Sequence, residues 1–286
     1  MSTIAIASDR FPAMGTRVEL HLFGRGASAA LRPLREVIER IEVALTMHRE
    51  SPTTRLNAQL AARREALIEE PLLREAIAVA MRMHALTDGL FDVASTLPDG
   101  GGPVRGGLAH ARLDADGMIH VERQLSLDFG GLGKGLALDH CAGVLAAHGI
   151  GAAIVSLGES SILAWGTHPH GECWPLSVPH PFRPDQPLQE LQLRDAAISI
   201  SSTIANGASS PSRAPIVRPA GGAAVTMAAT AIVVHRSGAR AEALSTAALI
   251  ATPQERESLA AQAALSVFEC DAGGQACRLD PQVKAE

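Results

Sequence analysis

The sequence predicts an α+β fold in which helices and strands are grouped rather than alternated. Three observations lead there. Apolar residues at helical spacing dominate two stretches before residue 90 of the 286. Short alternating or continuous apolar runs dominate from residue 152 onward. No internal repeat and no regular strand–helix–strand period connects the two, which argues against a βαβ architecture.

Taken in order, "TRVELHL" (16–22) alternates Val18, Leu20 and Leu22, the pattern of a half-buried strand. Leu31, Leu34, Ile38, Ile41 and Leu45 then fall on one helix face. Pro71 opens another helix through Leu73, Ile77, Met81 and His84. "DGGGPVRGGLAHA" (99–111) is a glycine-rich connector, a lobe boundary within a chain read as one domain over 1–286. Short strands are expected at 117–122 and 125–128, followed by a glycine loop and a helix ending at Gly149. Beyond it, "AAIVSLG", "CWPLSV", "LQELQL" and "AAISI" read as strands. Residues 203–222 are rich in Ser, Pro and Gly and read as a long loop. "TAIVV" is a buried strand, "ARAEALSTAALIA" a helix, and Thr252 caps a further helix starting at Pro253. "LSVFEC" closes the pattern as a strand.

A hydrophobic content of 47% with 19% charged residues indicates a globular chain with an ample core. Aromatics are scarce and Tyr is absent, so Ala, Val, Leu and Ile must build that core. A net charge of −5 argues against a nucleic-acid partner. The four cysteines form no CxxC pair and are expected to be reduced thiols. The start "MSTIAIASDRF" lacks a basic segment, a long apolar run and a lipobox cysteine, and no stretch reaches membrane-spanning length. The expected compartment is the cytoplasm, with no membrane partner.

Residues 125–139, "LSLDFGGLGKGLALD", carry Asp128 out of a strand-like run into three glycines and Lys134 before a helix. Glycine loop and helix N-terminus together make an anion cradle. A Walker A loop would need Gly where Asp128 stands and Ser or Thr where Gly135 stands. A dinucleotide fingerprint from Gly131 would end on Gly, where Leu136 stands. The loop is a phosphate candidate of a third kind, and a ligand-free turn is the alternative. Glu242 and Thr246 lie four apart on one helix face, an oxygen-only pair suited to a hard cation such as Mg²⁺ or to nothing at all. "THPHGECW" (167–174) gathers His168, His170 and Cys173, but with no fourth ligand it reads as a solvated turn.

Five segments in one order sharpen the picture: "AMGT" (13–16), "SPTTRLN" (51–57), "TDGLFD" (87–92), "DFGGLGKGLALD" (128–139) and "AEALSTA" (241–247). In that order the chain resembles the ApbE family, the FAD:protein FMN transferases once called thiamine-biosynthesis lipoproteins. The family carries an "AMGT" entry strand, an "SxxSRLN" turn, "TxGxFD", "DxGGxxKGxAxD" and a late "ADALSTA" helix. The resemblance runs from about residue 10 to 270. It implies an α+β fold with mixed or antiparallel sheets and packed helices in two interlocked lobes. It implies FAD with Mg²⁺ at the diphosphate. Met14, Phe91, Asp92, Asp128 and Lys134 would face the nucleotide. Gly131, Glu242 and Thr246 would hold the metal with Ser245 beside them. The implied reaction moves FMN from FAD onto a Thr or Ser hydroxyl of an acceptor protein and releases AMP.

Departures from the family cluster at the reactive end. Where the family has "HxxDPxTG", this chain has "PIVRPAGG" (215–222), with Pro215 at the histidine and Arg218 at the aspartate. "TSGxY" becomes "ISSTI" (200–204), "NxGGD" becomes "SLGES" (156–160), and Ala94 replaces a Thr after "FD". The metal aspartate is lengthened to Glu242. His180 and His235 are the candidates to replace the missing base. Two functions stay open: a Mg²⁺-dependent FMN transferase, or a flavin-nucleotide binder or scaffold that has lost transfer and keeps slow FAD hydrolysis.

Overall fold

The computed structural model describes residues 5–94, 107–204, 216, 218–219, 225, 227–270 and 276–279. The chain opens with β1 (Ile6–Ala13), which turns at Met14 and Gly15 into antiparallel β2 (Thr16–Phe23). Met14 (φ 54°) and Gly15 (φ 69°) are both left-handed, as a two-residue hairpin between right-twisted strands requires. The strand expected at 16–22 is therefore the second of the chain, and "AMGT" is a hairpin tip. β1 has a weak signature because it is a sheet edge: Pro12 is exposed, and Ala7, Phe11 and Ala13 point inward.

Helix α1 (Ala27–Leu45) buries Leu34, Ile38, Ile41 and Leu45, the stripe that the spacing predicts. The family-type turn at 51–57 is instead the start of a helix, α2 (Pro52–Arg63). Ser51 and Thr54 cap it reciprocally and Pro52 takes the first turn, so a sequence rich in turn formers nucleates a helix. β3 (Glu65–Leu67) precedes α3 (Pro71–Leu86), and β4 (Ala111–Leu113) and β5 (Met118–Val121) complete a three-stranded sheet in the order β3-β5-β4. Of the connector at 99–111, residues 99–106 lie outside the described residues, and 108–110 form a 3₁₀ turn.

The strand expected at 125–128 does not form. Leu125, Leu127 and Phe129 do alternate inward, but no strand among the described residues pairs with them. The Asn57 side chain takes the neighbour's place, donating to the Leu127 carbonyl (2.9 Å) and accepting from the Leu127 N–H (2.9 Å). The Asp128 N–H goes to the Val93 carbonyl. Alternation thus reported burial correctly while the ladder was supplied by a side chain.

After α4 (Gly133–Ala147) come β6 (Ala152–Leu157), β7 (Ser161–Gly166), β8 (Trp174–His180), β9 (Arg183–Leu193) and β10 (Ala196–Ser202). Then follow β11 (Ala229–His235), α5 (Gly238–Ile250), α6 (Pro253–Ala260), β12 (Ala264–Cys270) and β13 (Ala276–Arg278). The main sheet has eight strands in the order β1-β2-β6-β7-β10-β11-β12-β13, and every pairing in it is antiparallel. Thr252 caps α6 as expected, in a capping box with Glu255. Of the loop at 203–222, most lies outside the described residues, and Val225 N–H bonds the Ile216 carbonyl.

Helices α1, α4 and α5 cover one face of this sheet, and the β8–β9 hairpin covers part of the other. Strand β10 shows why both fit. Ile198 joins Trp174, Val178 and Leu193 under the hairpin, while Ala197 and Ser199 face the helices, where small side chains let α5 approach. No helix among the described residues is long and apolar enough to cross a membrane. Cys141 is a thiol, as are Cys173 and Cys277, and burial pushes the Cys141 thiol up from its ordinary pKa.

Candidate functional site

The glycine loop ends on the N-terminus of α4, and that end has no side-chain cap. Asp128 is exposed and folds back to accept the Gly130 N–H (2.8 Å), which shapes the turn. A pocket of about 150 Å³ opens here, lined by Met14, Glu42, Met47, His48, Asp128 and Lys134 with the backbone of Gly130 and Gly133. Three of the five nucleotide-facing residues expected from sequence therefore share one pocket. The left-handed Met14 reaches over the loop: a methyl group placed on Gly133 would lie 3.1 Å from its Cε.

Phe91 is buried behind the loop, and a methyl on Gly131 would lie 3.7 Å from both its Cε2 and the Thr246 hydroxyl oxygen. Asp92 is placed differently. Its side chain has no exposure, and its carboxylate accepts the N–H groups of Ala94 (2.8 Å) and Leu108 (3.2 Å) with His84 beside it. Burial pushes its carboxyl above the ordinary value, against those N–H groups and His84. Asp92 fixes the 87–94 turn to residue 108.

Glu242 stands on the first turns of α5 and is almost fully buried. One carboxylate oxygen takes a short hydrogen bond from the Ser161 hydroxyl, and the other meets the Lys134 ammonium at 3.4 Å. Thr246, half-buried one turn on, faces the Gly131 backbone. Ser245 turns elsewhere: its hydroxyl bonds the Glu242 carbonyl, Ser199 and Ser201, anchoring α5 to β10. The carboxylate of Glu242 and the hydroxyl of Thr246 are oxygen donors one turn apart on α5, which suits a hard divalent cation in kind. Among the described residues no cluster of three His, Cys, Asp or Glu could hold a metal, and His170 of the 167–174 turn is exposed.

Two close contacts set this geometry. A methyl on Gly135 would lie 2.2 Å from the Gly238 carbonyl oxygen and 2.6 Å from Glu242 Cγ, so α4 and α5 touch only because Gly135 is glycine. Asp139, the last residue of "GKGLALD", caps α5 from α4. It accepts the Ser237 hydroxyl (2.8 Å) and the N–H groups of Gly238 (2.5 Å) and Ala239 (3.1 Å). An anion at this end also complements the helix dipole. Sequence reasoning assigned no role to Asp139, Ser161, Asn57, Glu42 or His48. Asp139 and Asn57 stood inside quoted motifs, whereas Ser161, Glu42 and His48 carried no local signal.

Residues 104–268, well over half of the chain, match the sequence model of the ApbE family. The chain belongs to the ApbE family. Its fold is that of solved ApbE proteins over nearly their whole lengths. It is 20% identical to the flavinyl transferase ApbE of Pseudomonas stutzeri, with a TM-score of 0.78 over 97% of this chain and 96% of that one. The flavin transferase ApbE of Vibrio cholerae gives 18%, 0.77, 96% and 97%. The ApbE protein of Thermotoga maritima gives 19%, 0.78, 96% and 97%. No curated protein sequence matches the chain.

The positions at which the sequence departs from the expected motifs fall in three places. Pro215 lies outside the described residues. Arg218 donates to the Ile250 carbonyl (2.9 Å) at the C-terminus of α5 and to Glu255 (2.6 Å). Segments 156–160 and 200–204 contribute Gly158, Glu159, Ser160, Ile200, Ser202 and Ile204 to a second pocket, about 480 Å³, beneath the β8–β9 hairpin. His180 is buried at the end of β8, its Nδ1 accepting the Phe182 N–H (3.2 Å). His235 Nδ1 accepts the Ser237 N–H (2.8 Å), and burial, then Arg240, holds its ring below the ordinary histidine range. Neither ring lines the α4 pocket, and His48 does.

Proposed function

We propose that this ApbE chain is a single-domain, Mg²⁺-dependent FMN transferase of the cytoplasm that takes FAD as donor and a protein Thr or Ser hydroxyl as acceptor. The observation that carries the reading is the α4 pocket, where Met14, Asp128 and Lys134 meet an uncapped helix N-terminus beside Glu242 and Thr246. Backbone N–H groups at such an end bind phosphate, and Lys134 adds a point charge. Phe91 backs the loop, and Asp92 holds the turn that positions Phe91. Gly131, Glu242 and Thr246 would hold Mg²⁺, and Ser245 fixes the helix that carries two of them. Bound there, the ion supplies positive charge to the diphosphate oxygens.

In the reaction the acceptor hydroxyl oxygen attacks the FMN phosphorus and gives its proton to water, the bond from that phosphorus to the bridging oxygen breaks, and AMP leaves with the oxygen. The chain's part is to hold the diphosphate in line and shield its charge. A second reading, a flavin-nucleotide binder that keeps at most slow FAD hydrolysis, is favoured by Pro215, which can accept no proton. The positions of His180 and His235 outside the α4 pocket favour it further.

The test is AMP release from FAD with Mg²⁺, with and without a Thr-containing acceptor, together with in-gel flavin fluorescence of the acceptor. Acceptor-dependent AMP release and a fluorescent acceptor are expected for the transferase. AMP release that ignores the acceptor, or binding without release, selects the second reading. Failure of FAD to bind to folded protein would end both.

A further inference from the structure

Glu242 is provided with its own cation. Lys134 and Glu242 are 108 residues apart in sequence, yet the ammonium sits 3.4 Å from Oε2, with side-chain exposures of 21% and 6%. The same lysine lines the pocket at the α4 N-terminus, so one side chain borders both the carboxylate and the anion cradle. The remaining carboxylate oxygen is held by Ser161, and Cγ lies close against Gly135. Glu242 therefore has little freedom to turn away from Lys134.

On the reading of the site given above, we infer that Lys134 is an exchangeable counter-ion that makes the protein select a metal–diphosphate complex over either component alone. A divalent cation arriving on Glu242 must displace the ammonium from Oε2. Two cations cannot share that oxygen in a partly buried site without strong repulsion. A diphosphate at the α4 N-terminus offers Lys134 a new partner and so releases Glu242 to the metal. Neither event is favourable by itself, and each promotes the other by the same factor, as linkage requires. Lys134 is thus a positioning residue for the ligand pair.

The experiment is calorimetric titration of Mn²⁺ into the full chain, with and without saturating ADP as the diphosphate probe and each referenced to the same titration without protein, for wild type, Lys134→Met, Lys134→Arg and Glu242→Ala. Wild type should bind Mn²⁺ weakly alone and more tightly with ADP. Lys134→Met should bind Mn²⁺ alone about tenfold more tightly than wild type, and its gain from ADP should shrink by the same factor. Lys134→Arg keeps a cation on Glu242 and should restore weak binding to the metal alone. It also keeps the inference testable should the methionine variant not fold. Glu242→Ala should lose Mn²⁺ in both conditions.

If Lys134→Met binds Mn²⁺ alone no better than wild type, or Lys134→Arg alone binds it tightly, the counter-ion role is wrong while the metal site stands. If wild type takes up no Mn²⁺ even with ADP, or Glu242→Ala retains it, the metal site itself is wrong and the inference falls with it.

Discussion

The two ends of α5 are secured in opposite ways. At the N-terminal end, Asp139 and Ser237 satisfy backbone donors, and Glu242 is pinned by Ser161 and Lys134. Ser161 comes buried from β7 and Asp139 half-buried from α4, and Lys134, also from α4, lines the glycine loop's pocket. At the C-terminal end, two long arginines reach the last carbonyls, Arg218 to Ile250 and Arg256 to Ala248 (3.2 Å). Anion at one end and cations at the other follow the helix dipole. The difference lies in redundancy. The N-terminal end is held by several contacts that α4 and β7 supply. The C-terminal end is reached by Arg218, whose side chain is 30% exposed, and by the buried Arg256. Arg218, which the resemblance would set at an aspartate position, caps a helix here. Arg218→Asp would place an acid beside Glu255.

The largest effect is expected from Gly135→Ala. At an unhindered helix site the change would stabilise by up to about 1 kcal/mol. Here the added methyl meets the Gly238 carbonyl at 2.2 Å, and forcing α4 from α5 should cost about 1–3 kcal/mol. Urea denaturation gives the sign, and a stabilised variant would show that the N-terminal end is looser than described.

Asp139→Ala removes three hydrogen bonds at the N-terminus of α5, and a loss of about 1–2 kcal/mol is expected in the same assay. Metal-dependent nucleotide affinity should fall with it, because Glu242 rides on that turn. Unchanged affinity would separate the cap from the site.

Met14→Gly should act in the opposite direction on the fold. A left-handed non-glycine residue costs roughly 1–2 kcal/mol, of which part returns when glycine replaces it. Stability should rise slightly while nucleotide binding weakens, since Met14 lines the pocket. Thermal melting and flavin titration together decide whether strain is kept there for binding.

The smallest effect belongs to the other end. Arg218→Ala should cost at most about 1 kcal/mol, as partly exposed ion pairs do. Its pH dependence is informative. The Thr252 N–H, with Arg218 behind it, holds the Glu255 carboxyl below the usual range. A depressed carboxyl adds stability above its unfolded pKa, and that stability is lost as pH falls through the folded value. Arg218→Ala should therefore shrink the acid-side loss only in part, leaving the Thr252 share. A complete loss of the acid limb would make Arg218 the dominant restraint and overturn the asymmetry between the two ends.

The local layer of the structure is legible in the residues alone. Alternation at 16–22, the helical stripe of α1 and the Thr252-Pro253 helix start all formed where the spacing placed them. So did the glycine loop running into α4 and the shared face of Glu242 and Thr246 on α5. These depend on which residues are apolar at which period, and neighbours in the chain fix that. Tertiary structure decided the rest. Residues 125–128 alternate like a strand, but their partner is the side chain of Asn57, 70 positions away. Asp139 reads as a helix residue until Ser237, 98 positions on, meets it. Ser161 is an ordinary strand residue until Glu242, 81 positions on, needs a donor. Periodicity reports the direction in which a side chain points. The identity of the group waiting there is settled only when the chain closes on itself, because a buried carboxylate or backbone amide must find a partner from whatever element packs against it.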